Sequence, residues 1–234
     1  MNNIIQANNI SKVFRQGKNL IEAVKDVNLS IERASRIAII GQSGAGKSTL
    51  LHILGGLDRP TVGSVLFEKN DLYRLSDRKR TALRNRKIGF VFQFYHLLPE
   101  FTVLENVLMP AFINSEAQGT KHELRKRAEL LLGRVDLSHR LNHKPREISG
   151  GEAQRVAIAR ALINEPEIIF CDEPTGNLDS RMGDQIYDIL YEVSCQRNMS
   201  LVIVTHQERQ NFDFDKTYVI KDGKLSEKEN KVLA

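Results

Sequence analysis

The sequence predicts an α/β protein in which helices cover both faces of a mainly parallel β-sheet and an all-helical segment is inserted into that core. Short β-branched runs alternate with helical patterns in the first 92 residues and again after residue 165. Near residue 41, a glycine-rich turn joins an apolar strand pattern to a helical one. From about residue 94 to 150, the β-branched runs give way to helical spacing, which indicates the insertion.

The composition is that of an ordinary globular chain. Of its 234 residues, 41% are hydrophobic and 27% are charged, which excludes a disordered or fibrous protein. Lys and Arg exceed Asp and Glu by five, a basic excess too small to identify an acidic partner. Cys171 and Cys195 are predicted to be buried, reduced thiols. With no signal-peptide pattern and no run of 18 apolar residues, we expect a cytoplasmic chain.

The first 92 residues predict strands and two helices. Strands are expected over residues 4–10, 12–15, 22–29 and 64–67. Arg36–Ile40 is a continuous apolar run that ends in glycine, as is typical of a strand buried on both faces. Helices are expected over Lys47–Leu54 and over residues 76–86, the second one basic and followed by a strand at Ile88–Phe92.

The rest of the chain predicts helices and then a renewed alternation. In the helical segment, one apolar stripe has helical spacing and consists of Leu124, Ala128, Leu131, Leu132 and Val135. A helix is expected from residue 150 to about residue 164, because Pro166 then prevents its continuation. The last elements are predicted as strands over residues 168–171, 201–205 and 217–220 and a helix over residues 183–195.

Residues 41–48, GQSGAGKS, match the pattern G-x-x-x-x-G-K-[ST] between a buried strand and a helix. Glycines let backbone N–H groups converge on phosphate oxygens, and the helix N-terminus adds the positive end of a dipole. In such a loop Lys47 reaches the β- and γ-phosphates and the Ser48 hydroxyl ligates Mg²⁺. The sequence therefore predicts a nucleotide site. Its predicted binding residues here are Gly41, Gln42, Ser43, Gly44, Ala45, Gly46, Lys47, Ser48 and Thr49.

Two other buried strands end in polar residues. Asp172 and Glu173 follow the strand over residues 168–171, and ligands of open α/β sheets bind at such strand ends. We expect Asp172 to hold Mg²⁺ through water and Glu173 to polarise an attacking water; the alternative is an acidic turn without function. His206 follows residues 201–205 in the same way. A lone histidine is more often structural, but the neighbouring phosphate site favours a contact to the γ-phosphate.

Residues 148–152, ISGGE, resemble the LSGGQ signature of the ABC-type ATPases and lie one helix upstream of Asp172, as in that family. The resemblance covers nearly the whole chain. It implies a P-loop NTPase fold, with a RecA-like ABC nucleotide-binding core, an N-terminal antiparallel β-subdomain and an inserted α-helical subdomain. Residues 1–234 would form one ABC ATPase domain: residues 1–92 and 154–234 as β-subdomain and core, and residues 93–153 as the helical signature subdomain.

The same resemblance implies roles for further residues. Gln93 is similar to the family's Q-loop glutamine, which binds Mg²⁺. The expected Mg²⁺ ligands are therefore Ser48, Gln93 and Asp172. Phe14 is similar to the aromatic residue that stacks on adenine, His206 to the switch histidine, and residues 177–179 to the D-loop. The cofactors implied are ATP and Mg²⁺. The catalytic residues implied are Lys47, Gln93, Glu173 and His206.

The signature segment is expected to act across a homodimer. In this family two chains sandwich two ATP molecules head to tail, so that Ser149, Gly150 and Gly151 contact the γ-phosphate held by the partner's phosphate loop. Glu152 is counted with them, although it replaces the signature's glutamine. Two more departures are Ala153, where an arginine is usual, and Gln207, where an acid is common. Because Ala153 lacks the positive charge that an arginine would place near the partner's nucleotide, the sequence does not predict the rate of hydrolysis.

Three segments resemble the LolD-type, lipoprotein-releasing subgroup of this family: residues 51–58, 93–107 and 172–179. This implies an ATPase at the cytoplasmic face of the inner membrane, peripheral to two LolC/LolE-like permease subunits. MacB-type export and FtsE-type cell-division ATPases are the alternatives. Within residues 93–107, we expect Phe94, Tyr95 and Leu97 either to form a groove for a helix of the membrane subunit or to pack in the core.

A nucleic-acid partner is not expected. Residues 74–87 are strongly basic but have no interleaved aromatic residues, so a solvated face near an anionic leaflet is favoured over a nucleic-acid surface. ABC ATPases that act on DNA or ribosomes usually have long coiled coils, zinc modules or a second cassette, and the sequence shows none of these. The transport class is therefore favoured over a soluble ATPase acting on nucleic acid.

Overall fold

The computed structural model describes residues 2–113, 119–206 and 212–228. Gln207 therefore lies outside the described residues. Within these ranges the chain forms two β-sheets and six α-helices. None of the described helices is both long and apolar enough to cross a bilayer.

The smaller sheet is antiparallel and has the order β2-β1-β4-β5. Its strands are β1 (Asn3–Gln16), β2 (Asn19–Glu32), β4 (Val62–Phe67) and β5 (Asn70–Asp71). The two strands predicted over residues 4–10 and 12–15 are one continuous strand, so the predicted break is wrong. Register shifts between Ala7 and Lys12 in the β1–β2 ladder explain the irregular sequence pattern there.

The larger sheet has six strands in the order β10-β9-β3-β8-β7-β6. They are β3 (Arg36–Ile40), β6 (Ile88–Phe92), β7 (Ile168–Asp172), β8 (Ser200–Thr205), β9 (Lys216–Lys221) and β10 (Lys224–Glu227). All neighbouring pairs are parallel except β9 and β10. The predicted parallel core is confirmed.

The helices are α1 (Lys47–Leu54), α2 (Asp77–Lys87), α3 (Val103–Ile113), α4 (Lys121–Arg134), α5 (Gly150–Leu162) and α6 (Ser180–Gln196). The helical segment thus begins at Val103, and residues 94–102 are not helical. Helix α6 begins three residues earlier than predicted, because the Asp179 side chain accepts a hydrogen bond from the Met182 N–H and caps the helix. Cys171 is buried as predicted, but the predicted burial of Cys195 is wrong: it is exposed, because the buried face of α6 is formed by residues such as Leu190 and Val193.

Two apolar clusters cover the two faces of the larger sheet. One lies between α1, the antiparallel sheet and residues such as Phe170 and Val202. The other joins α3, α4, α5 and α6 to the opposite face, where Val91, Ile169 and Ile203 point. Side chains of a buried strand alternate between the faces, which is why the parallel strands are continuous apolar runs. The carboxyl ends of these strands are thereby held in fixed register.

Candidate active site

The predicted polar residues meet at one edge of the larger sheet. The parallel register places Ile40 beside Thr205, Val204 beside Asp172, and Asp172 beside Phe92. The residues that follow each strand therefore start from one edge, which is where open α/β sheets bind ligands. They are Gly41 after β3, His206 after β8, Glu173 after β7 and Gln93 after β6.

Residues 41–48, the phosphate loop, depend on glycine at two positions where the backbone has no space for a side chain. A Cβ on Gly46 would lie 2.1 Å from the Ala23 carbonyl oxygen, and one on Gly41 would lie 2.4 Å from the Ile220 carbonyl oxygen. Gly46 also has φ +103°, which favours glycine, and it immediately precedes α1. The loop is therefore packed against β2 and β9, with its outer residues, among them Ser43 and Gly44, exposed.

The Lys47 side chain lies inside this loop and is only 6% exposed. Its Nζ donates to the carbonyl oxygens of Gly41 at 2.9 Å and Gln42 at 3.1 Å. The same atom lies 3.2 Å from Oε1 of Glu173. The structure thus brings together the lysine predicted to bind phosphate and the carboxylate predicted to activate water.

Ser48 and Asp172 form a pair of oxygen donors. Ser48 Oγ donates to Oδ1 of Asp172 at 2.9 Å. Burial raises the pKa of Asp172, and the hydrogen bond from Ser48 acts against that shift. A hydroxyl and a carboxylate are ligands that Mg²⁺ prefers, so the two residues present fit the ion. The described residues contain no group of three His, Cys, Asp or Glu that could hold a metal. In nucleotide sites Mg²⁺ is ordinarily bound by one or two protein groups together with phosphate oxygens and water.

Glu173 adopts a strained backbone conformation, with φ +45°, at the end of β7. Its N–H donates to the Val204 carbonyl oxygen at 2.9 Å, which fixes the turn against β8. The carboxylate is mostly buried, and its Oε2 accepts hydrogen bonds from the Nδ1 of His206 at 2.9 Å and from the backbone N–H of His206 at 3.2 Å. Both oxygens of this carboxylate are therefore occupied, one by His206 and one by Lys47.

Gln93 contacts the D-loop segment. Its Nε2 donates to Oδ1 of Asn177 at 3.3 Å, and Nδ2 of Asn177 donates back to the Gln93 carbonyl oxygen at 3.0 Å. A Cβ on Gly176 would lie 2.9 Å from Gln93 Nε2, so the glutamine side chain packs directly on this turn. These hydrogen bonds are to Asn177 and not to Asp172, and the role of Gln93 as a metal ligand stays a prediction.

Phe14 lies on β1 near the β1–β2 turn and is 41% exposed. The Nζ of Lys12 lies 5.0 Å from the ring centroid, a cation–π contact that covers part of the ring. An exposed aromatic ring is suited to stacking on a base. Its role with adenine stays a prediction.

The signature segment caps α5. Ser149 accepts a hydrogen bond from the Glu152 N–H at 3.3 Å, and Glu152 Oε2 accepts one from the Ser149 N–H at 2.7 Å. These bonds form a capping box, and the bond from the Ser149 N–H lowers the pKa of Glu152. Arg140 Nε donates to the other oxygen, Oε1, at 2.9 Å. The Glu152 carboxylate is thus used within its own chain, whereas Ser149 and Gly150 are exposed at the helix N-terminus.

Tyr95 links the signature to the segment after Gln93. A Cβ on Gly150 would lie 2.8 Å from the Tyr95 hydroxyl oxygen, and Arg160 of α5 donates to the Tyr95 carbonyl oxygen at 2.7 Å. Phe94 is 65% exposed, whereas Tyr95 and Leu97 are half-buried. Of the three residues predicted as a groove, the structure leaves Phe94 as the most exposed apolar surface.

His52, which the motifs do not assign to the site, lies with its Nε2 4.0 Å from Oδ2 of Asp172. It is four residues after Ser48 on α1, and this spacing on one helix face is the sequence signal that could have found it.

The fold and the site define a nucleotide-binding ATPase, and comparison with known proteins identifies its family. The ABC transporter family matches residues 24–176. The chain therefore belongs to the ABC transporter family, as one of its ATP-binding, ATP-hydrolysing cassettes. The predicted fold class and enzyme class are confirmed.

More particularly, the chain is similar to the curated lipoprotein-releasing system ATP-binding protein LolD of several bacteria. It is 47% identical to that of Shewanella denitrificans over 226 residues, which cover 97% of this chain and 96% of the relative. It is 48% identical to that of Saccharophagus degradans over 223 residues, which cover 95% and 96%.

The chain is also similar to solved structures of ABC transporter cassettes. The bacterial ABC transporter cassette MJ0796, solved as a dimer, matches with a TM-score of 0.87 and 40% identity over 96% of this chain and 98% of its own. A dimeric post-hydrolysis state of MJ0796 bound to ADP and Pi has the same TM-score and 39% identity, with the same coverage. CbiO1 of Clostridium perfringens, part of the complex cbiONQ, matches with a TM-score of 0.82 and 28% identity over 97% of this chain and 88% of its own.

Proposed function

We propose that this chain hydrolyses ATP in order to drive the membrane subunits of a lipoprotein-releasing transporter. The observation that carries the ATPase role is the Glu173 carboxylate held between Lys47 and His206 beside a phosphate loop. Similarity to LolD relatives over 97% of the chain supports the transport role. The MacB-type and FtsE-type alternatives have no observation in their favour.

ATP is expected to bind with its phosphates in the loop over residues 41–48 and its adenine on Phe14. Backbone N–H groups of the loop and the N-terminus of α1 supply donors for phosphate oxygens. Lys47 is the cation for the β- and γ-phosphates. Its Nζ lies inside the loop, where it donates to the carbonyl oxygens of Gly41 and Gln42 at 2.9 and 3.1 Å.

Ser48 and Asp172 are the proposed Mg²⁺ ligands, and Gln93 is a third one if it leaves Asn177. When bound, the ion neutralises negative charge on the phosphates. The pairing of Ser48 Oγ with Asp172 Oδ1 keeps both oxygens within 2.9 Å of each other and so preorganises the site.

Glu173 is the proposed general base. Its Oε1 pairs with Lys47 at 3.2 Å, and this pairing competes with the activation of water. A phosphate group that takes over Lys47 releases Oε1, so that the carboxylate can accept a proton from the attacking water. His206 keeps Oε2 in place and is itself half-exposed, which leaves it able to contact the γ-phosphate.

The complete site is proposed to need two copies of the chain. Ser149 and Gly150 are exposed at the N-terminus of α5, an arrangement that suits an anion. In the homodimer, this terminus would contact the ATP in the partner's phosphate loop, with Gly151 and Glu152 behind it. In this proposal residues 1–234 form one ABC domain, in which residues 93–153 are the helical signature subdomain and the rest is β-subdomain and core.

The membrane partners are proposed to be two LolC/LolE-like permease subunits, which bind the cassette at the cytoplasmic face of the inner membrane. Phe94 is an exposed apolar side chain directly after the Q-loop glutamine. Its neighbour Tyr95 is fixed by Arg160 and lies against Gly150, so a contact at Phe94 is physically connected to the signature helix. This suits a helix-in-groove contact that responds to ATP.

A pull-down and a release assay test this function. The tagged chain is recovered from detergent-solubilised membranes, and its bound subunits are identified by mass spectrometry. The expected partners are lipoprotein-releasing permeases, and proteoliposomes that contain them should release a triacylated lipoprotein only with MgATP and not with the Glu173→Gln variant. Recovery of export or cell-division subunits instead would contradict the transport role while leaving the ATPase role intact.

A further inference from the structure

His52 shares one carboxylate with Ser48. Residues four apart on an α-helix lie on the same face, so both side chains project from α1 towards the end of β7. Ser48 Oγ donates to Oδ1 of Asp172 at 2.9 Å, and His52 Nε2 lies 4.0 Å from Oδ2. The two oxygens of Asp172 are thus faced by two side chains of one helix.

The Nε2 atom of His52 is buried and has no hydrogen-bond partner among the residues that the structure describes. A buried polar atom without a partner destabilises a protein, because its hydrogen bond to water is lost and not replaced. The 4.0 Å separation is roughly 1 Å longer than an N–H···O hydrogen bond. Because the nitrogen is closed to solvent, a small movement of the ring towards Asp172, and not a bridging water, would provide the missing bond.

The surroundings keep the imidazole near that carboxylate. Its ring lies edge-on to Phe92, with ring centroids 6.1 Å apart and an interplanar angle of 66°. Phe92 pairs with Asp172 in the β6–β7 register, so the sheet fixes the aromatic ring and the carboxylate relative to each other. The His52 ring therefore cannot move far from Asp172 without losing its aromatic contact.

We propose that His52 is a positioning residue for the Asp172 carboxylate. Its Nε2–H donates to Oδ2 when a divalent cation is bound, so that Oδ1 stays directed towards Ser48 and the cation. This inference rests on the proposed function, because it takes Ser48 and Asp172 as ligands of Mg²⁺. Partners that hold a metal-ligating carboxylate in this way typically change metal affinity by about 10–100-fold.

The test measures cation binding without turnover. Mn²⁺ replaces Mg²⁺ as the probe, ADP is present, and the free Mn²⁺ is followed by electron paramagnetic resonance as the full chain is titrated. His52→Phe keeps a ring against Phe92 and removes the donor, whereas His52→Gln removes the ring and keeps an N–H at a similar reach. We expect the Kd for Mn²⁺ to rise about tenfold or more in His52→Phe. It should stay near the wild-type value in His52→Gln, and metal-free ADP binding should be unchanged in both.

An unchanged Kd for Mn²⁺ in His52→Phe would overturn the proposal. Equal losses in the Phe and Gln variants would also overturn it, because they assign the effect to packing. If His52→Phe does not fold, His52→Leu is the donor-free variant. Ser48→Ala separates this inference from the proposed function: normal Mn²⁺ binding by that variant contradicts the magnesium site itself. A loss in Ser48→Ala together with an unaffected His52→Phe contradicts the role of His52 alone.

Discussion

His206 Nδ1 donates a hydrogen bond to Oε2 of Glu173 at 2.9 Å, across the ends of two neighbouring parallel strands. A carboxylate only accepts hydrogen bonds, so the imidazole proton lies on Nδ1 and its Nε2 is left for another contact. Lys47 pairs with the other carboxylate oxygen at 3.2 Å. The proposed base is therefore held by two residues, His206 and Lys47, and only Lys47 has to leave for water to be activated.

Replacing Glu173 by Gln is expected to retain ATP binding and to lower the rate of hydrolysis by at least about 100-fold, since the phosphate-binding groups remain and the base is lost. Steady-state phosphate release and binding of a fluorescent ATP analogue measure the two effects. Glu129→Gln, at a half-exposed carboxylate paired with Arg125 on α4, is the matched control and should hydrolyse normally. Hydrolysis near the wild-type rate in Glu173→Gln would place the base elsewhere.

Replacing Gly46 by Ala should abolish nucleotide binding and destabilise the fold. A Cβ there would lie 2.1 Å from the Ala23 carbonyl oxygen, and φ of +103° is unfavourable for alanine. Gly44→Ala is the matched control, because Gly44 also has a positive φ of +77° but nothing lies within 4 Å of its Cβ position. Denaturant unfolding should show a loss of about 1 kcal/mol for Gly44→Ala and a larger loss for Gly46→Ala. Equal losses would show that backbone conformation, and not the close contact, sets the requirement.

Removing the Ser149 hydroxyl separates its two proposed roles. Ser149→Ala should destabilise the chain by about 1 kcal/mol, because a helix cap is lost. Thr120→Ala removes the equivalent cap from the capping box of α4 and should have a similar effect on unfolding. Only Ser149→Ala is expected to weaken ATP-dependent dimerisation as well, measured by light scattering in the Glu173→Gln background. If both variants dimerise equally well, the signature serine acts only as a cap.

The stabilisation by the Ser149–Glu152 capping box should also depend on pH. The Ser149 N–H lowers the pKa of Glu152, so this contribution is complete above the ordinary pKa of about 4.3 and is lost as the pH falls through the lowered value. The difference in unfolding free energy between wild type and Glu152→Gln, which has no titrating carboxylate at this position, should therefore shrink when the pH is lowered from 7 to 3. A difference that does not change with pH would show that the Glu152 carboxylate contributes nothing to the cap.

Replacing Phe94 by Glu should weaken binding to the membrane subunits and spare the ATPase activity of the isolated chain. Phe94 is 65% exposed, so the substitution should change stability by no more than about 0.5 kcal/mol. Leu130→Glu, at a 70% exposed position on α4, is the matched control for adding a charge to an apolar surface residue. Co-purification measures binding to the membrane subunits, phosphate release measures the ATPase activity, and thermal unfolding measures the stability. A stable Phe94→Glu variant that assembles and transports normally would contradict the groove.

The strands that lead into the site follow directly from local pattern and are predicted correctly, whereas the roles of the site residues stay predictions. A β-branched run followed by glycine or by acidic residues identifies β3 and β7, and the parallel register then brings Lys47, Asp172 and Glu173 to one edge. The strand order itself depends on contacts between distant residues, and the short strands β5 and β10 have too few apolar residues to be recognised.

Pairings over long sequence separations could not be predicted. Nothing in the sequence near Glu152 indicates that Arg140 takes one of its oxygens, and the contact between Gln93 and Asn177 spans 84 residues. The absence of helix over residues 94–102 has a physical cause: the side chain of Asn106 binds the Leu98 and Phe101 backbones and so satisfies an irregular segment. The apolar composition of residues 94–102 does not by itself distinguish such an irregular segment from a helix.

ATP binding is expected to join two of these chains through the phosphate loop of one and the signature helix of the other. The most direct test of this dimer is the molar mass of the Glu173→Gln variant, measured by light scattering after size-exclusion chromatography, with and without MgATP. We expect the mass of a monomer without nucleotide and twice that mass with MgATP. When Ser149→Ala is added to Glu173→Gln, we expect the mass of a monomer even with MgATP. A monomer of the Glu173→Gln variant at saturating MgATP and high protein concentration would contradict the ATP-dependent dimer.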